Sequence, residues 1–268
     1  MCEFCAQHGE GKTWYLAVEN YSRDLLDDKG RVAYATHFLN TFEAGAPAAL
    51  KQLDALARTP FHGIAKPYLT RRQKRDHFGQ VTPIEEVEQI FQNLDSVVRL
   101  PCVCRRALAG KQDARFCYGL TTDPRLTAGL DDSFSLEVLT PAEALDAIRT
   151  LDKEGLVHSV WTFKSPYIAG LCNCDQDCMA YRVNHARGYF QVMFRAEFVA
   201  AVDRDRCNGC KNCMRQCQYG AIRYSAVNKK VVIDPLQCYG CGVCRAACHR
   251  DAIRLHARAQ DPVAARIW

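Results

Sequence analysis

Residues 207–217 read CNGCKNCMRQC and residues 238–248 read CYGCGVCRAAC. Both are C-x2-C-x2-C-x3-C, and both run on to an Ala-Ile-Arg triplet, at 221–223 and 252–254. An internal repeat of this strictness decides the architecture of its region. The eight thiols are soft ligands of the kind iron takes. Two-residue spacers let a tight loop turn three sulfurs inward, and Gly209, Gly240 and Gly242 leave backbone N–H groups able to hydrogen-bond those sulfurs. A pair of zinc sites is the competing reading, but zinc favours four-cysteine sets without the x2-x2-x3 repeat. Apolar runs flank the loops and predict short strands over Phe198–Val202, Ile222–Tyr224, Val231–Ile233 and Ile253–Leu255.

The doubled run closely resembles the bacterial two-cluster ferredoxins. In that pattern the fourth cysteine of each run ligates the other cluster. The resemblance therefore implies two [4Fe–4S] clusters, one on Cys207, Cys210, Cys213 and Cys248, the second on Cys238, Cys241, Cys244 and Cys217. The family usually has Pro after the fourth cysteine. Gln218 and His249 stand there instead, and the simplest expectation is that the missing prolines are merely tolerated.

The chain has 268 residues, 16 of them Cys, with an apolar share of 48% that can build a core. The N-terminal MCEFCAQHGEGK has neither the basic nor the apolar region of a secretory leader, and no apolar run reaches the ~18 residues of a membrane span. A cytoplasmic location follows as the expectation, and with it metal sites rather than disulfides. The formal net charge of +5 overstates the basicity. Each four-iron cluster with its four thiolates carries roughly −2, so nucleic acid is not an expected partner.

The fold expected is α+β: a mainly helical domain over 1–198, a two-cluster ferredoxin domain over 199–256 and a tail over 257–268. Helix-period apolar positions mark 13–28 and 33–57. Thr82, Pro83 and Glu85 read as a capping box with Pro at the first helical position, as do Thr140, Pro141 and Glu143, with Gly155 closing the second helix. LVHSVWTF after it reads as a strand. The basic run TRRQKRDHFG (70–79) is either a solvated face or, through Arg71, Arg72, Lys74 and Arg75, a docking loop for a redox partner protein.

Eight more cysteines lie outside the repeat. Cys102, Cys104 and Cys117 form one group and Cys172, Cys174 and Cys178 another, each expected on loops that follow regular elements. For both sulfurs of a C-x-C pair to reach one metal, a turn is expected. Asp175, Gln176 and Asp177 weigh against plain packing of the thiols, since burying unpaired carboxylates is costly. The series PCxCR, a further Cys, an EAL helix, GLVH and a CNC loop is similar to a broader set of bacterial iron–sulfur proteins that carry a C-terminal two-cluster module, over roughly residues 95–255. One or two further iron–sulfur clusters are expected in the N-terminal domain. Cys2 and Cys5, with His8, offer iron–sulfur or zinc ligands.

These motifs describe a multi-cluster electron-transfer protein that serves a partner oxidoreductase. The alternatives are a catalytic reductase subunit with an open-site cluster in the N-terminal domain, and an iron–sulfur redox sensor. Cys174 and Cys178 fit the start of C-x3-C-x2-C, but Tyr181 occupies the third position, so that radical-enzyme spacing fails. No Gly-rich phosphate loop is present. His158 and His185 are expected to be structural.

Overall fold

The computed structural model describes residues 13–22, 24–25, 30–120 and 135–267. Cys2, Cys5 and His8 lie outside them. The class is α+β. Seven strands form one sheet: β1 (Gly79–Val81), β2 (Val97–Leu100), β3 (Cys117–Gly119), β4 (Glu137–Leu139), β5 (Val157–Thr162), β6 (Ile168–Cys174) and β7 (Met193–Phe194). Their spatial order is β4-β2-β3-β6-β5-β1-β7. Only the β1–β7 pairing is parallel. Of these strands, the sequence reading contained only β5.

Side chains alternate across a sheet with period two. One face presents Val97, Tyr118, Val160 and Leu171, which pack with Val87, Ile90 and Ile148 into an apolar core. The last three come from helices α3 (Ile84–Phe91) and α5 (Pro141–Lys153). The other face presents Cys117, Gly170, Cys172 and Cys174. Helices α1 (Arg31–Ala57) and α4 (Val103–Ala109) pack against each other near it. A one-residue slip in β6 would exchange the cysteines for Leu171 and Asn173, so burial of Leu171 in the apolar core fixes the register that gathers the sulfurs.

The helix expected over 33–57 is α1. The helix expected over 13–28 is replaced, as far as that stretch is described, by 3₁₀ turns at Trp14–Leu16 and Val18–Tyr21. Local propensity yields there to tertiary bonds. Trp14 Nε1 donates to Gln80 Oε1 at 2.6 Å and Tyr15 Oη donates to Glu86 Oε2 at 2.5 Å. The capping box at Thr140 forms as expected. That at Thr82 does not: α3 begins one residue later with Pro83 as its N-cap, and the buried Thr82 hydroxyl has no partner among the described residues. Glu85 is instead taken by Arg245 in a two-pronged pair, 2.5 and 2.8 Å. The guanidinium gives Glu85 two charge-assisted bonds where the capping box would give its carboxylate one backbone N–H.

Arg71, Arg72, Lys74 and Arg75 lie on the last turns of helix α2 (His62–Asp76), not on a loop. Arg72 and Arg75 pair with Asp76, and Lys74 lies 4.7 Å over the Phe194 ring. Cations suit the C-terminal end of a helix, so this run has a local reason to be helical.

Toward the C-terminus the four expected strands are present as β8 (Phe198–Val202), β9 (Ile222–Ser225), β10 (Lys230–Ile233) and β11 (Ile253–Ala257). β8 pairs with β11 and β9 with β10, both antiparallel. The stretch read as a tail turns back onto this unit. Arg258, fully buried, donates to the carbonyls of Ala196, Phe198 and Cys238 at 2.8, 2.9 and 2.8 Å.

Gly155 joins the two parts of the molecule. Its φ of +89° ends α5 in the left-handed region, and a Cβ there would run into the Gln216 side chain. Gly155→Ala should lower unfolding stability by about 1–2 kcal/mol from backbone strain alone, read from the urea midpoint. An unchanged midpoint would show that neither constraint acts.

Candidate metal centres

The repeat cysteines fall into two neighbourhoods. Cys207, Cys210, Cys213 and Cys248 line one small cavity. Burial raises the Cys213 thiol to about 11, and the charged neighbours that add to the rise are Cys248, Cys210 and Cys207. Burial also raises Cys244, and its charged neighbours are Cys241, Cys238 and Cys217, then Cys213. The fourth cysteine of each run thus stands beside the first three of the other. Backbone N–H groups face the sulfurs: Ala252 N lies 3.3 Å from Cys248 Sγ, and Ala200 N 3.5 Å from Cys238 Sγ. Such donors stabilise thiolates bound to iron, so the residues present fit clusters. Cys210 is exposed, whereas Cys213, Cys238 and Cys244 are buried.

The six internal cysteines come together as well, Cys102 and Cys178 from irregular chain as expected and the other four from regular elements. Cys102 is the N-cap of α4 and Cys104 lies in its first turn. Cys117 opens β3, and Cys172 and Cys174 sit in β6. Cys178, like Cys102, lies in irregular chain as an N-cap, just before the short helix Met179–Tyr181. No turn is needed for the C-x-C pair of β6. Residues i and i+2 of a strand share a face, so the strand itself aims both sulfurs the same way. Cys172 pairs in register with Cys117, and their sulfurs are 3.9 Å apart. Thiol contacts continue from Cys117 to Cys102, from Cys102 to Cys178, from Cys178 to Cys174 and from Cys174 back to Cys172. Cys104 adjoins this ring beside Cys102 and Cys174.

All six line one cavity of about 220 Å³. They surround a space and do not close on a point: among the described residues no three His, Cys, Asp or Glu side chains form a site for a single metal ion. The ring shares charge unevenly. Contacts from Cys117 and Cys178, with Arg105 nearby, hold Cys102 far below the usual thiol range, and contacts from Cys172 and Cys178 hold Cys174 low. Contacts with Cys102 and Cys172 raise Cys117, contacts with Cys102 and Cys174 raise Cys178, and burial raises Cys104.

Arg105, which the sequence reading passed over, is fully buried against this ring. Its Nη1 lies 3.3 Å from Cys102 Sγ, and its Nη2 donates to the Asn173 carbonyl at 3.1 Å and reaches Asp175 at 2.8 Å. The Phe116 ring covers the guanidinium at 4.3 Å. A buried cation offsets part of the thiolate charge. The signal available in the sequence was an Arg directly after C-x-C. Asp175 and Asp177 are neither deeply buried nor unpaired. Each keeps about a third of its side chain in water, and Asp177 pairs with Lys111 at 2.6 Å. Their cost therefore does not argue against packed thiols.

Gln218, in the place of the usual proline, bridges the two sets. Its Nε2 donates to the Gly155 carbonyl at 2.7 Å and to the Cys174 carbonyl at 3.3 Å, while its own carbonyl accepts from Tyr181 Oη at 2.8 Å. Next to it, Tyr219 stacks on Tyr239 with centroids 3.9 Å apart. Burial raises the Tyr219 phenol, and its charged neighbours include Cys241 on one side and Cys174 and Cys178 on the other. One apolar core contains both tyrosines and packs against Cys172, Cys217 and Cys241 together. His158 is structural as expected: fully buried, it bonds Asn173 at 2.6 Å and Asp152 at 3.3 Å. His185 packs among Tyr181, Tyr219 and Tyr239.

Residues 200–249 match the 4Fe-4S dicluster domain family. No curated protein is found to match the chain. The domain supports an iron–sulfur electron-transfer role and implies a redox partner in general terms. Among the described residues no helix is long and apolar enough to cross a membrane.

Proposed function

We propose that the chain is a multi-centre iron–sulfur electron carrier serving a partner oxidoreductase in the cytoplasm. Cys207, Cys210, Cys213 and Cys248 hold one [4Fe–4S] cluster, Cys238, Cys241, Cys244 and Cys217 a second, and the ring of Cys102, Cys104, Cys117, Cys172, Cys174 and Cys178 a further iron–sulfur centre. Clusters of this kind accept and release single electrons over a wide range of potentials. The chain's own part is spacing and insulation. Gln218 ties the peptide after Cys217 to the peptide of Cys174, and Tyr219 and Tyr239 fill the gap with packed rings that exclude water. That junction is the observation on which the reading rests. The exposed loop of Cys210 is the face on which a partner docks, and the basic end of α2 is a second candidate docking surface.

Iron and acid-labile sulfide counts test the reading. The anaerobically purified chain should carry more than the roughly eight iron atoms that two [4Fe–4S] clusters hold. Joint replacement of Cys102, Cys117, Cys172 and Cys174 by Ser should return it to about eight. A wild-type chain with about eight iron atoms, or with zinc at the internal set, would remove the third centre.

A further inference from the structure

The cavity ringed by the six cysteines does not end with them. Its lining continues along the same sheet face to Gly119, Gly170 and Trp161, and across to Phe38, Gln73 and His77. Gly119 and Gly170 are cross-strand partners, two residues along from the Cys117–Cys172 pair. The floor there is bare backbone. The wall above it is aromatic: Phe38 lies 4.4 Å from His77 and 5.5 Å from Phe163, and His77 stacks on Trp161 at 5.0 Å. A flat floor beside such rings selects a planar apolar body and disfavours charge.

His77 supplies the orienting polar atom. Its Nδ1 is 2.6 Å from the Thr162 carbonyl oxygen, which can only accept, so Nδ1 carries the ring proton. Burial pushes the imidazole down to about 4, leaving it neutral at pH 7 with a lone pair on Nε2. Among the described residues Nε2 has no hydrogen-bond partner. It is an acceptor, so a matching ligand brings a donor.

The geometry points to a binding site for a planar, uncharged aromatic molecule carrying one O–H or N–H group, seated on the Gly119–Gly170 floor with its donor on His77 Nε2. The site does not rest on what the cysteines hold. Its occupant sits beside their ring.

Calorimetric titration of the full chain, as isolated with its metal, with 2-naphthol is the test. Saturable binding of one molecule per chain is expected. Naphthalene, which lacks the hydroxyl, should bind about tenfold more weakly, the effect of one buried hydrogen bond. His77→Phe keeps an aromatic wall and should abolish the difference between the two probes. Gly170→Val should abolish binding of both. A Cβ at Gly170 meets Phe163 and Trp161 only at 3.7 Å, an ordinary contact, so the strand tolerates a side chain there. Far-UV circular dichroism and iron content check that each variant is folded. No saturable binding by the wild type, as when chain or metal already fills the space, overturns the proposal, and so does binding that both variants leave unchanged. Iron and sulfide counts on the same samples report separately on the metal reading, so the two fail independently.

Discussion

Cys217→Ala should strip the cluster neighbourhood of Cys238, Cys241 and Cys244 and spare the run in which Cys217 itself lies. Cys217 is among the charged neighbours of Cys244, Cys241 and Cys238, whereas those of Cys213 are Cys248, Cys210 and Cys207. About four iron atoms should be lost, with the matching sulfide. In the electron paramagnetic resonance spectrum of the reduced protein the signal of the Cys207 set should persist, beside that of any centre on the internal cysteines. The complementary variant, Cys248→Ala, should remove the signal of the Cys207 set and restore that of the Cys238 set. Loss of the Cys207 set on removing Cys217 would mean that each run closes on its own cluster.

Arg105→Met should cost about 3 kcal/mol of unfolding free energy, at the lower end of what breaking a buried charge pair costs. The lower end applies because Asp175 keeps 32% of its side-chain surface and regains water when the guanidinium leaves. The same change removes a positive charge 3.3 Å from Cys102 Sγ. Adding an electron nearby then becomes less favourable, so a centre held by the ring should move to a more negative reduction potential. Arg105→Lys keeps the charge but loses the planar fork that reaches Cys102, Asn173 and Asp175 together. It should restore the potential better than the stability. A denaturant midpoint and a redox titration separate the two effects. Wild-type values for both in Arg105→Met would show that Arg105 neither compensates charge nor holds the ring.

What could be read from the sequence follows from where the information lies. The C-terminal strands were legible because each flanks a cysteine loop whose spacing fixes its place. The Thr140 helix was legible because its cap is local. The seven-stranded sheet was not: GQV, VVRL, CYG and EVL are too short to show a period, and their order, with β1 between β5 and β7, is a matter of tertiary pairing. The same shortfall misplaced the internal cysteines. In IAGLCNC, Gly170, Cys172 and Cys174 alternate with Leu171 and Asn173, the signature of a strand with a cysteine face. Taken as a loop, LCNC suggested a turn where the pleat already aims the sulfurs. Glu85 fits a capping box by spacing, and only a partner 160 residues away shows why it leaves it.

The two glutamines that hook the C-terminal unit onto the rest bear on how exchangeable that unit is. Gln216 donates to the Lys153 carbonyl at 3.1 Å, and Gln218 to those of Gly155 and Cys174. All three acceptors are main-chain atoms, so what the host surface must supply for this grip is backbone, with room at Gly155 for the Gln216 side chain. The specificity of these three bonds lies in the guest, while Glu85 adds a host side chain through its pair with Arg245. A two-cluster module with proline after its fourth cysteine lacks the amide of Gln218, and grafted here it would forgo the bonds to the Gly155 and Cys174 carbonyls. The unit is therefore less a cassette appended to a larger chain than a keyed part, with two of its teeth cut from residues that its own cluster chemistry does not require.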